Sequence, residues 1–346
     1  MGIYNGTIRT AAELSAVARG AADAVEAGDL LAQVLPSIET EDLDYDLAAG
    51  EQSLPKSASF RAYDATAPYG KETNVGSKKG SLPASSVKFA LSELAKLQLR
   101  GASDDALGAN LESKARTAGQ SIAIRSILAR GEALSTGKVS MSAENGLTLE
   151  INFGRDASLS AAVGTTWSNI AAPAYTDLLA GIAAYRAFNG GDPRGALVSS
   201  QTLNDLSLNT GFISAAKGTT SSGLTRITRR EVLAVLSDLG ISDVRVYDEQ
   251  YVNPAGATVR PIAADKLLLV GSFDGGFGDT GPLGVTQWGI PAEALNESYG
   301  IPAGDGAGIF AAQFDRTDPE GSDVLGSSIF LPIPDVNKVF DLDTRV

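Results

Sequence analysis

The stretch Ser103 to Thr136, SDDALGANLESKARTAGQSIAIRSILARGEALST, constrains this chain more than any other. Leu107, Leu111, Ala115, Ala118 and Ile122 recur every three or four residues, the spacing of one apolar stripe on an α-helix. Ser103 offers an N-cap hydroxyl. Asp104 and Asp105 put negative charge in the first turn, where the macrodipole favours it. Lys114, Arg116, Arg125 and Arg130 put positive charge in the middle and C-terminal turns, and Gly137 provides a stop. Gly108, Gly119 and Gly131 each cost about 1 kcal/mol relative to Ala. They therefore either break the helix near Gly119 or Gly131, or leave room for bending and close packing. The expected rod separates a polar, Pro- and Gly-punctuated region from everything that reads as a folded body.

Composition narrows the chemistry. The chain has no His and no Cys, which excludes Ser-His-Asp and Cys-His catalysis, disulfides and the usual zinc sites. Hydrophobic residues at 43% suffice for a core. Aromatics at 6% beside 38 glycines favour close backbone contacts over bulky ring packing. A net charge of −13 argues against phosphate-mediated nucleic-acid binding, which needs clustered Lys and Arg. It is compatible with enclosing nucleic acid without adhering to it, and equally with plain solubility. The N-terminus MGIYNGTIRTAAELS lacks the apolar core of a signal peptide, and no apolar run reaches the ~20 residues that span a bilayer, so no membrane partner is expected.

Read in order, residues 1–38 predict one helix, with Leu14, Val17, Ala21 and Val25 following Thr10, and Leu30, Leu31 and Val34 continuing the pattern to Leu35-Pro36. Its narrow apolar face docks either on the body or on another subunit. Glu39, Glu41, Asp42, Asp44, Asp46 and Glu51 then form an acidic block. Lys56, Arg61, Lys71, Lys78, Lys79 and Lys88 reverse the sign. Such blocks pair within a chain, pair between chains and set their register, or simply form a solvated face. Residues 56–86 read as a projecting two-stranded loop, with FRAY (60–63) and SLPASSVKFAL (81–91) flanking a polar tip; a flexible linker is the other reading.

After the long helix, the segments 138–143 and 147–153 flank Asn145-Gly146, a strong hairpin signal, and Leu147, Leu149, Ile151 and Phe153 alternate with polar residues. Residues 165–320 predict an α+β body. Helices are expected at 174–188 and 228–239, the second opening on a Thr228–Glu231 capping box and closing at Gly240. Strands are expected at 196–199, 244–247, 257–262, 266–270, 308–314, 324–330 and 337–342, with a turn at Asn253-Pro-Ala-Gly256.

No motif points to catalysis. Carboxylate pairs are abundant in so acidic a chain, so a glycosidase pair stays open, but few aromatics surround them to stack a sugar. A Ser–Lys dyad stays open with no motif behind it. Gly131 to Val139 brushes against a phosphate loop, but five residues separate the glycines, Val follows Lys138, and the segment ends a helix instead of opening one. The Gly-rich loop 271–284 holds Asp274 and Asp279, too few ligands at the wrong spacing for a calcium loop. No catalytic residue, cofactor or metal is expected.

The order of parts resembles that of the major capsid proteins of tailed phages, in the lambda-like branch. The resemblance is carried by STGKVSM…LTLEINFGR (135–155), GTTWSN (164–169), VRVYDEQYVNPAGATVRPIAADKLLLVGS (244–272), Gln287-Trp288-Gly289 and LPIPDVNKVFDLDT (331–344). It implies an α+β fold, the tailed-phage major capsid fold shared with herpesviruses. The implied parts are an N-arm at 1–55, an extended β-loop at 56–102, and a peripheral domain at 103–165 with spine helix and hairpin. An axial domain at 166–319 and C-terminal strands at 320–346, returning to the peripheral domain, complete the plan. The resemblance implies a non-enzymatic subunit that self-assembles, as hexamers and pentamers, into an icosahedral shell around double-stranded DNA. The shell would belong to a virion assembled in the host cytoplasm. Implied partners are scaffold, portal and a cementing or decoration protein, with no sequence-specific DNA contact. Candidate inter-subunit contacts are Glu39, Glu41, Asp42, Asp44, Asp46, Arg61, Lys71, Lys78, Lys79, Arg116 and Arg125. On this reading, deleting residues 1–50 abolishes assembly and leaves a folded monomer, and the apolar stripe of the spine helix packs on the hairpin at 147–153. The alternative is a soluble α+β hydrolase or binding protein whose body is 166–320.

Overall fold

The structure, a computed structural model, describes residues 8–48, 77–92, 94, 104–144, 147–218, 223–275, 281–302, 306–317 and 320–345. The long helix is there: Asp104–Thr136 runs as one uninterrupted α-helix through all three glycines. It stops where expected, at Gly137, whose φ of 71° only glycine adopts freely and whose N–H bonds to the Ala133 carbonyl. Ser103, the expected N-cap, lies outside the described residues.

Two compact units emerge. One gathers Met1–Tyr45, Lys79–Gly131 and Gly276–Pro334; the other gathers Asp46–Lys78, Glu132–Gly275 and Asp335–Val346. This differs from the division expected from the sequence, which placed 276–319 with the axial body and kept 320–346 together. The reason lies in strand pairing. Glu320–Pro334 is a single strand that binds Phe310–Thr317, Ala84–Leu91 and Gly284–Gly289, all antiparallel. That pairing ties 284–334 to 84–91, and the chain changes unit only after Pro334.

In the first unit, Ser37–Glu39 adds to this sheet, parallel to Gly284–Gly289. The 15-residue strand is almost wholly buried yet rich in Gly and Ser, because a helix lies close on its face. A Cβ on Gly326 would stand 2.8 Å from Ala118 Cβ and 3.3 Å from Ile122 Cδ1. The apolar stripe of the spine helix therefore packs on this sheet, where the sequence reading had placed it on the hairpin.

The N-terminal segment belongs to the same core. Thr10 caps Ala11–Glu26 through a reciprocal capping box with Glu13. The pattern breaks after Glu26, and Asp29 caps a second short helix, Leu30–Val34. Leu14, Leu31 and Leu35 are completely buried, and Ser15 exchanges hydrogen bonds with the Ala311 backbone at 3.2 and 2.8 Å. Residues 11–39 are therefore integral to the unit. Burying three leucines contributes on the order of 5–8 kcal/mol by area, so deleting 1–50 removes part of the core and is expected to destabilise the monomer as well as to stop assembly.

The second unit holds a mixed five-stranded sheet in the order Ser160–Ala162, Val339–Asp343, Lys266–Val270, Gly195–Val198, Asp243–Val246. Helices Ala174–Asn189, Ser200–Leu208, Thr210–Lys217 and Arg229–Asp238 supply its apolar core, with Trp167, Phe212 and Phe340 among the largest buried side chains. Thr228 and Glu231 form the expected capping box. The hairpin Lys138–Glu144 and Leu147–Asn152 is present and antiparallel, with Val139, Ile151 and Phe153 buried and Leu149 exposed; its Asn145-Gly146 turn lies outside the described residues.

Candidate subunit-contact surface

The acidic segment is held by its backbone and presents its side chains. Glu39 ends the strand Ser37–Glu39 opposite Trp288, and the Thr40 N–H donates to the Trp288 carbonyl at 2.8 Å. Thr40 Oγ1 accepts from the Asp42 N–H. The Leu82 N–H donates to the Leu43 carbonyl at 2.9 Å, and Ser81 Oγ donates to Asp44 at 2.7 Å. Glu39, Glu41, Asp42 and Asp44 are all exposed. Among them stands Leu43, 56% exposed, an apolar side chain rimmed by carboxylates. A rigid backbone with an apolar centre and a polar rim is the usual anatomy of a protein contact. Sequence reasoning named the charges and missed Leu43; its signal was a large aliphatic set directly between Asp42 and Asp44.

The structure brings the opposite-sign blocks side by side in one chain. Asp44–Ala48 pairs with Ser77–Ser81, the strand that carries Lys78 and Lys79. Asp46 and Lys78 lie in these strands, their side chains outside the described residues, and Lys79 is exposed. Arg116 is exposed on the spine helix and Arg125 is half-buried on it. Arg61 and Lys71, like the expected FRAY strand, lie outside the described residues.

Two buried arginines, neither singled out as a contact, fix the elements that carry this surface. Arg130 is fully buried on the spine helix. It pairs with Glu26 at 3.0 Å and donates to Thr286 Oγ1 and Ser37 Oγ, each at 2.7 Å. Ser37 also donates to Glu26 and accepts from the Trp288 indole at 2.9 Å. One guanidinium thus joins the N-terminal helix, the strand leading into the acidic segment, and the sheet. In the other unit Arg155 donates to the carbonyls of Leu134 and Ser135, closing the last turn of the spine helix. Burial lowers the Arg155 pKa, with Asp341 opposing the shift from 3.9 Å.

No curated protein matches the chain. Residues 88–340 match the family model described as phage major capsid protein E. Among solved structures, one similar chain is a phage-related protein of Bordetella bronchiseptica RB50, at 12% identity and a TM-score of 0.56, with 96% of each chain covered. Another is a protein assigned as the capsid protein of a prophage in Escherichia coli CFT073. It aligns at 15% identity and a TM-score of 0.51 over 77% of this chain and 79% of that one. At such identities the likeness establishes a shared fold.

Proposed function

This chain belongs to the phage major capsid protein E family and is a shell-forming structural subunit, and from that premise we propose that it closes into an icosahedral shell of hexamers and pentamers around double-stranded DNA. The family match over most of the chain carries this reading. The pinned acidic segment with Leu43 at its centre supports it, since a shell subunit needs contact elements whose geometry is set before assembly. Glu39, Glu41, Asp42, Asp44 and Asp46 meet basic side chains of a neighbouring copy, and Arg61, Lys71, Lys78, Lys79, Arg116 and Arg125 are the candidates. Residues 56–102 act as the extended loop, and the second unit supplies the axial part of each capsomer. Residues 1–55 keep the arm's place in the chain, with 11–39 anchored on the body.

Single contacts of ~4 kcal/mol are only millimolar, but several per subunit in a closed shell make it effectively permanent. The net charge of −13 lets enclosed DNA avoid adhering. Scaffold, portal and a decoration protein complete assembly in the host cytoplasm, and the chain performs no catalysis. Negative-stain microscopy of the purified chain tests the reading. Uniform closed shells or capsomers are expected; monodisperse small particles at every concentration would favour the soluble hydrolase or binding protein and refute it.

A further inference from the structure

The segment from Gln250 to Val259, QYVNPAGATV, carries no charged residue in a chain with a net charge of −13. It folds as a small hairpin: Tyr251 pairs with Val259 and Val252 with Thr258, antiparallel. Side chains directly opposite share a face, so the hairpin has two distinct sides. Tyr251 and Val259 are half-buried, whereas Val252 and Thr258 are exposed, Val252 at 64%. Pro254, Ala255, Gly256 and Ala257 at the tip are exposed too.

So short a ribbon is marginal by itself, yet this one is braced. Asn253 exchanges backbone bonds with Ala257 and Gly256, and its Oδ1 accepts from the Ala257 N–H at 2.9 Å. Gly256 takes a φ of 82°, which closes the turn. At the base, Asp248 accepts from Arg260 at 2.9 Å and from the Ser200 N–H at 3.2 Å, at the start of helix Ser200–Leu208. Its carboxyl is held below its ordinary value: burial would raise it, and the Ser200 and Arg260 hydrogen bonds together outweigh that. An exposed apolar side and tip, fixed in position before any partner arrives, loses little entropy on binding.

We infer that this hairpin is a contact through which the chain meets a second copy of itself, an inference that rests on the shell-subunit reading. Charge selects the occupant. In a chain with a net charge of −13, copies repel wherever acidic faces meet, and an uncharged projection is where that repulsion is smallest and desolvation costs least. A basic partner would gain nothing from a surface without carboxylates.

The absence of cysteine makes the test clean. A Val252→Cys chain carries one thiol, and its maleimide labelling rate is compared in purified assembled particles and in dissociated subunits. At least tenfold slower labelling in particles is expected. Rates within twofold, in particles seen by microscopy, overturn the inference while leaving the shell-subunit reading intact. If the wild-type chain forms no particles under any condition, both fall together. Val252→Asp provides the second arm. Its circular dichroism and melting temperature should match wild type, while the concentration needed for assembly rises at least tenfold. Unchanged assembly by this variant also overturns the inference.

Discussion

Replacing Gly119 by Ala should destabilise the subunit, although propensity alone predicts the reverse. In a helix interior Ala is favoured over Gly by about 1 kcal/mol. At Gly119, however, a Cβ would stand 2.0 Å from the Ala18 carbonyl oxygen and 2.9 Å from Ala18 Cα. Both are backbone atoms of the N-terminal helix, so no side-chain rotation relieves the clash. Reaching ordinary contact at 3.4 Å requires the two helices to part by roughly 1.4 Å. Overpacking of this kind costs typically 1–3 kcal/mol. Moving the N-terminal helix also stretches the Ser15–Ala311 hydrogen bonds, worth about 1 kcal/mol each. After subtracting the propensity gain, the net loss is about 2–4 kcal/mol. Gly108→Ala is the matched control, because the nearest atoms its Cβ would meet belong to the flexible Arg9 guanidinium, at 2.7 Å. Displacing Arg9 perturbs only a partly exposed, solvent-screened pair with Glu112, so that variant should be near neutral. Denaturant midpoints of the two variants decide the matter. If Gly119→Ala is as stable as Gly108→Ala, the close helix approach is not what this glycine provides.

Arg130→Ala should cost about 3–5 kcal/mol, because it leaves Glu26 and the Ser37 and Thr286 hydroxyls without their common donor in a buried site; a loss under 1 kcal/mol in chemical denaturation would contradict the stapling role. Glu231 gives a pH signature. The Lys217 hydrogen bond, with those from Thr228, holds its carboxyl down to about 2, from an ordinary value of 4.5. A depressed carboxyl contributes stability that is present above 4.5 and lost as pH falls toward 2. Glu231→Gln should therefore flatten the fall of melting temperature between pH 5 and pH 3, and parallel curves for variant and wild type would refute the assignment.

Much of the local structure was legible. The spine helix, its stop at Gly137, the hairpin after it, the Thr228 capping box and the Lys266–Val270 strand all rest on signals within a few residues of where they act. Helices Ser200–Leu208 and Thr210–Lys217 were missed: each is short, and their N-caps, Ser199 and Asn209, sit in a polar run that reads as loop. The short strands Ser37–Glu39 and Gly284–Gly289 were missed because each exists only through the other and through Glu320–Pro334. Of the contact surface, the exposed carboxylates were legible and Leu43 was not, since exposure is a property of the whole fold.

By itself the sequence determined that this chain has one long helix, an α+β body and no histidine or cysteine chemistry, because hydrogen bonding, capping and side-chain reactivity act locally. Only the tertiary structure decided that the N-terminal segment is part of the core, that Gly119 is a point of backbone contact, and that the helix stripe faces a sheet completed some 200 residues further along. Those outcomes depend on surfaces brought together from distant parts of the chain, where the complementarity of both partners, and not the propensity of either, settles what packs against what.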